Sequence, residues 1–481
     1  MARTGVDSSS VWWGVVGAVV AITGLFAATH GALVAGALFT VLLATAYGAI
    51  LLRYPGRGLW LLAAVLPYER LGAWSLGFFT LKFGHLISAA MLVSWAARSV
   101  LTKSFRLIYD PLRIPLVLLL SAGVLSLVNA VNPVRGIALL AQLLIGFAVY
   151  TLVINFLGRK NLKATLLALW GGALLVSLFG LYQFVGDYLG IPPALTGLLP
   201  SYSGSRVFGF ARIQSVSLEP LYFANYLLLP LLTAAAYFFG TTGKRRLWLI
   251  PYLLVLILVV VLTLARGAYL GLAAGGLLLL ILYWRRIFTP KVVAGVLASF
   301  AAIAIGAVAL LLQTAATEGE APLEVFSKQI TGTGQDVSTQ QRIGSISAAR
   351  QLVFDHPLIG VGVGNFGEYY QDPRTQPSPD RSVSQVVNNQ PLETLVEMGV
   401  FGLGALLLVI FVLFERTLRA FRSVAGNQIL RAALAGAAAA VLAIFVQAQT
   451  FSAIYLMHVW FAVGLLVAVQ NMILLPRKEQ A

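Results

Sequence analysis

Three arginines stand out for the chemistry their type allows. Arg206 and Arg212 fall in "SGSRVFGFARIQSVSLEPLYFANYLL" (Ser203–Leu228), and Arg266 falls in "LTLARGAYLGL". Arg266 is the only charge between Arg246 and Arg285. A guanidinium is a planar fork of donors matched to phosphate oxygens, so the three together suit a diphosphate. Glu219 precedes Pro220, the arrangement of a helix start, and places a carboxylate near Arg212 as a candidate base. His356 in "DHPLIG" is a second candidate base. The stretch "NNQPLETLVEMGVFG" (Asn388–Gly402) adds two amides, Asn388 and Asn389, which orient a hydroxyl without being bases. Glu393 and Glu397, one turn apart after them, are third candidates for a base. The plainer roles are anchoring at a membrane interface for the arginines and helix capping for Glu219, His356 and the amides.

The surroundings of these residues are those of a membrane. Of the 481 residues 59% are hydrophobic and 10% charged, and the mean hydropathy is +0.88. These values exclude an ordinary soluble domain and point to an all-α polytopic membrane protein. On the criterion of roughly 20 apolar residues per span, about 12–14 spans are expected. The candidates are 11–29, 32–52, 58–77, 82–97, 114–131, 136–157, 164–186, 216–239, 247–264, 268–284, 292–313, 392–414, 432–450 and 453–475. The first is read as a retained span and not a cleaved signal, because no small-residue cleavage site follows it. The third is the weakest, since "PYER" (Pro67–Arg70) sits inside it. Cysteine is absent, which removes thiolate chemistry, and the four histidines are scattered without metal-ligand spacing, so neither metal nor cofactor is expected.

Basic residues sort the loops. Of 33 Lys and Arg, 22 fall in alternate loops and at the termini, which the positive-inside rule makes cytoplasmic. Arg206, Arg212, Arg266 and the segment from Thr314 to Pro391 then face outward. The net charge of +16 is therefore a topological signal and not a sign of nucleic acid. The outward segment carries 8 of the 17 acidic residues. Within it, "TQQRIGSISAARQLVFDHP" sets Ile343, Ile346, Ala349, Leu352 and Val353 at helical spacing, with Pro357 as a stop. "LIGVGVGNFGEYY" reads as a tight turn rich in glycine, and "DPRTQPSPDRSVSQ" as a polar lid. The glycines do not form a nucleotide-binding fingerprint, because no parallel strand precedes them.

Four stretches, in order, resemble the O-antigen ligase and O-antigen polymerase superfamily: "RVFGF" with a following "EP", "LTLARGAYLGL", "DHPLIGVGVGNF" and "NNQPLETLVEMGVFG". The resemblance spans roughly residues 200 to 415. It implies a GT-C-like helical fold and a metal-independent glycosyltransferase without cofactors. It also implies a donor glycan on undecaprenyl diphosphate at the outer face of a bacterial inner membrane, with lipid A core or another lipid-linked glycan as acceptor. In that reading Arg206 or Arg212, with Arg266, hold the diphosphate. The ligases' acceptor-activating histidine corresponds to Asn388, a departure that favours a polymerase-like member. The expected division is an N-terminal bundle (1–199), a core (200–415) with the external loop 314–391, and C-terminal helices with a short tail (416–481), both termini cytoplasmic. A flippase of lipid-linked sugars is the alternative of another class. The paired, interrupted helices of two repeated halves that such transporters usually show are not evident.

Overall fold

The computed structural model describes residues 47–48, 51, 54–68, 74–75, 80–104, 107–199, 206–207, 210–290, 337–371, 386–424 and 426–476. The spans expected at 11–29 and 292–313, most of 32–52, and the polar segment 372–385 lie outside them. The described chain is almost entirely helical: α1 (Pro55–Val65), α2 (Phe83–Leu101), α3 (Arg113–Ser126), α4 (Pro133–Phe156), α5 (Leu162–Tyr188), α6 (Pro193–Thr196), α7 (Pro220–Gly240), α8 (Leu249–Leu262), α9 (Arg266–Ile287), α10 (Val337–Asp355), α11 (Phe366–Gln371), α12 (Gln390–Ser423), α13 (Gln428–Gln447) and α14 (Met457–Leu474). Two antiparallel hairpins of two-residue strands interrupt them, β1 (Trp74–Ser75) with β2 (Thr80–Leu81), and β3 (Arg206–Val207) with β4 (Phe210–Ala211).

Among the described residues eight helices, α2, α4, α5, α7, α9, α12, α13 and α14, are long and apolar enough to cross a membrane, and α1, α3 and α8 are shorter apolar helices. These eleven correspond to the eleven spans expected there. The weak third span is the short α1, which stops at Val65 ahead of "PYER".

Helices α7, α13 and α14 form the centre of the bundle. Lipid offers apolar side chains no hydrophobic reward for leaving it, so helices in a membrane associate through close packing and polar bonds. Helix α13 accordingly presents "AALAGAAAA", with every residue from Ala432 to Ala440 buried. A Cβ on Gly275 of α9 would come within 2.8 Å of the Ala439 carbonyl, so the backbones of α9 and α13 touch. The central helices are also tied by a buried polar chain. Asn225 of α7 donates through Nδ2 to Gln447 Oε1 of α13 (2.9 Å), and its Oδ1 lies 2.7 Å from His458 Nε2 of α14.

Candidate active site

Two of the segments picked out in the sequence meet through a break in α12. Gly399 sits at φ 65°, ψ −167°, a conformation open essentially to glycine alone. The break strands the carbonyls of Val396 and Glu397, and the glycine-rich turn takes them up. Val361 N donates to Val396 O (2.9 Å) and Gly362 N to Glu397 O (3.0 Å). On the other side of the break Val400 N donates to Pro357 O (2.9 Å). Gly360, Gly362 and Gly364 all have positive φ. A Cβ on Gly360 would overlap the Glu397 backbone. Residues 357–364 thus complete the hydrogen bonding of a broken helix, which explains why both stretches are rich in glycine.

Helix α10 lies against the same region with Ala348, Ala349 and Leu352 buried and Ile346 and Val353 partly so. Ile343, expected on that face, is instead exposed, and Ala348 takes a buried place the spacing did not assign. His356 follows the helix and pairs with Tyr369, Nε2 to hydroxyl at 3.1 Å, with the rings in edge contact.

Glu393 and Glu397 are both buried in the first turns of α12. Glu393 Oε2 accepts from Val387 N (2.9 Å) and from the Ser452 hydroxyl. Glu397 Oε1 accepts from Phe366 N (3.4 Å), with Gly364 N also bonded to the carboxylate. One carboxylate therefore holds the chain where it enters α12, and the other holds the glycine-rich turn. Arg135, at the start of α4, lies close enough to act on both charges and pairs with Glu368 of α11 at 3.0 Å. The Tyr455 phenol is held well above its ordinary range by desolvation and by the neighbouring Glu397 and Glu393 carboxylates.

The two amides have different tasks. Asn389 is the N-cap of α12, accepting from Leu392 N (3.0 Å) and donating to Gln449 O (3.1 Å). Asn388 is half-buried in the left-handed region at φ 59°, where its Nδ2 reaches Val386 O (3.4 Å). Capping thus belongs to Asn389, and Asn388 is available for another purpose.

The cationic side is built at the starts of α7 and α9. Leu221 and Ala224 in the first turns of α7 pack on Ala265 and Ala268 at the start of α9. That contact brings the start of α7, whose N-cap residue is Glu219, against the start of α9, whose first residue is Arg266. Arg266 is exposed, whereas Glu219 and Arg212 are half-buried. Arg212 donates through Nε to Thr263 O (3.1 Å), so it is docked on the turn that leads into α9. Arg206 pairs through its backbone with Ala211 in the hairpin that delivers Arg212. Its side chain lies outside the described residues.

The segment from Gln447 to Tyr455 connects the two halves, and the sequence reading missed it. Gly267, next to Arg266, is packed so tightly on Thr450 that a Cβ there would collide with it. From the same segment Gln449 holds Asn389, Ser452 holds Glu393, and the amides of Ala453 and Ile454 both donate to Gln390 Oε1 (2.8 Å each). The only signal was an uncharged polar run, "QAQTFS", between two apolar helices. Among the described residues no three His, Asp or Glu side chains are grouped to hold a metal ion.

Residues 251–407, about a third of the chain, match the model of the O-antigen ligase family. No curated protein matches the chain. The matched stretch runs from α8 through the break in α12 and contains Arg266, His356, Asn388, Asn389, Glu393 and Glu397; Arg206, Arg212 and Glu219 precede it. The order of motifs, the helical membrane architecture and this match agree: residues 251–407 are similar to the O-antigen ligase domain, which implies an enzyme of the glycosyltransferase type.

Proposed function

We propose that the protein is a polymerase-like member of this superfamily, transferring glycan from undecaprenyl diphosphate at the outer face of a bacterial inner membrane with both termini cytoplasmic. The observation that carries this reading is that α7 and α9 begin side by side, with Glu219 capping α7, Arg266 opening α9 and Arg212 bonded to the turn that leads into α9. The N-terminus of α9 adds the positive end of its dipole to two guanidinium groups, a setting suited to a diphosphate. Arg206, in the hairpin just before, is the third candidate ligand.

In the proposed step an acceptor hydroxyl attacks the anomeric carbon of the donor sugar. The bond from that carbon to the diphosphate oxygen breaks, and its electron pair leaves with undecaprenyl diphosphate. Arg266 and Arg212 hold the charge that develops on the leaving group. Glu219, the N-cap residue of α7, takes the acceptor's proton, with His356, Glu393 and Glu397 as the other candidates. Asn388, close to the capped start of α12, orients the acceptor hydroxyl through its amide.

Reconstitution with a labelled undecaprenyl-diphosphate oligosaccharide tests the reading. A ladder that remains on the lipid carrier is the expected product. Transfer to a separate acceptor such as lipid A core would identify a ligase instead. Movement of the intact donor across vesicles with no new glycosidic bond would replace both with a flippase.

A further inference from the structure

A second basic site lies at the other end of α9. That helix has 22 residues, from Arg266 to Ile287, so at 1.5 Å per residue its two ends are roughly 30 Å apart, about the thickness of the hydrocarbon core. At the far end a cavity of about 430 Å³ opens between the end of α9, the end of α7 and the turn from α12 to α13. Arg285, Arg286 and Arg431 line it, and none of its lining residues is acidic. The N-terminus of α13 borders it as well, with its own cap, Asn427, bonded to Leu430 N (3.0 Å).

The cavity wall also contains an unsatisfied group. Tyr283 is 9% exposed, its backbone departs from helical geometry (φ −125°, ψ 19°), and its hydroxyl has no hydrogen-bond partner among the described residues. The hydroxyl is turned toward Gly240, another residue of the wall, and Arg431 and Arg286 both lie within electrostatic range of it. A buried hydroxyl without a partner is costly, and like charges gathered without a counter-charge among the described residues repel. A bound anion relieves both.

We propose that this cavity binds a phosphate group at the membrane face opposite the glycan-transfer site. The shared chemistry is a singly charged phosphate, from an anionic glycerolipid of that leaflet or from a soluble phosphate. Basic pockets between transmembrane helices are suited to lipid head groups.

The test uses the full chain, delipidated in detergent. Binding of short-chain phosphatidylglycerol, of phosphatidylcholine and of inorganic phosphate is measured separately by native mass spectrometry and by the shift of the thermal midpoint. Arg286 is left intact because its Nη1 holds the Phe239 carbonyl (2.6 Å). Arg431→Gln and Tyr283→Phe are each expected to weaken binding about tenfold, the loss of one charge-assisted contact. Tyr283→Phe also separates this idea from a structural one, since removing an unpartnered hydroxyl should leave the ligand-free midpoint equal or higher. Phosphatidylglycerol bound in preference to phosphatidylcholine identifies the lipid as the source. Protection by inorganic phosphate without lipid identifies the soluble one. Equal binding of both lipids with no effect of phosphate, or variants that bind as the parent does, overturns the proposal. Transfer activity does not enter the measurement.

Discussion

Replacing Gly399 by alanine tests whether the break in α12 is what joins the external segment to the membrane bundle. At φ 65° and ψ −167° a side chain costs roughly 1–3 kcal/mol in backbone strain. The added Cβ would also fall 2.5 Å from the Ile359 nitrogen and closer still to the Leu358 carbonyl. Overpacking of that kind adds about 1–3 kcal/mol, so the expected loss is roughly 2–6 kcal/mol. Relaxation of the strain would pull residues 357–362 away from Val396, Glu397 and Val400, the three bonds that seat the turn. The assay is thermal unfolding of the purified protein, with Gly404→Ala as the control. Gly404 is exposed in the same helix with open space at its Cβ, and alanine there should add up to about 1 kcal/mol through helix propensity. A Gly399→Ala midpoint equal to that of Gly404→Ala would refute the reasoning. Limited proteolysis adds a second readout, since release of the turn should speed cleavage between residues 337 and 390.

Four further outcomes are expected. Arg266→Ala should lower turnover by about 10²–10³, the cost of removing one donor to a developing anion. Its unfolding midpoint should not move, because the side chain is exposed; near-normal turnover would sink the diphosphate assignment. Asn389→Ala should cost about 0.5–2 kcal/mol through loss of the cap on α12, measured in denaturant. Asn388→His should leave stability near the parent's, because histidine also tolerates the left-handed region. If Asn388 orients the acceptor, the product distribution in the reconstituted assay should change; an unaltered distribution would remove that role. A double-mutant cycle on Arg135 and Glu368 should return a coupling of only about 0.2–1 kcal/mol, since both side chains are partly exposed.

The spans were legible because lipid imposes one rule on every residue of a crossing helix. An apolar run of sufficient length must be a helix there, since its backbone has no other hydrogen-bond partner. Charge drew attention to the solitary Arg266, and the helix it opens, α9, begins against the start of α7. The amides were legible as a type but not in their division of labour. A sequence of two asparagines does not say which one caps, whereas the backbone angles of Asn388 and the bond from Leu392 N to Asn389 do.

What the sequence by itself determined is local or additive: helix, length, burial in lipid, the sign of charge at each end, and the glycines at 360, 362, 364 and 367 as a tight turn. Only the tertiary structure decided that Gly399 breaks α12 and that the turn serves this break, since the carbonyls freed by Gly399 find their donors some 35 residues earlier in the chain. It also decided that Glu393 and Glu397 spend their lone pairs on backbone amides, and that the segment from Gln447 to Tyr455 binds the cationic rim to the amides. The physical reason is the same in each case. A hydrogen bond between distant residues leaves no period or spacing in the sequence, and its partners become visible only when the helices that carry them are packed.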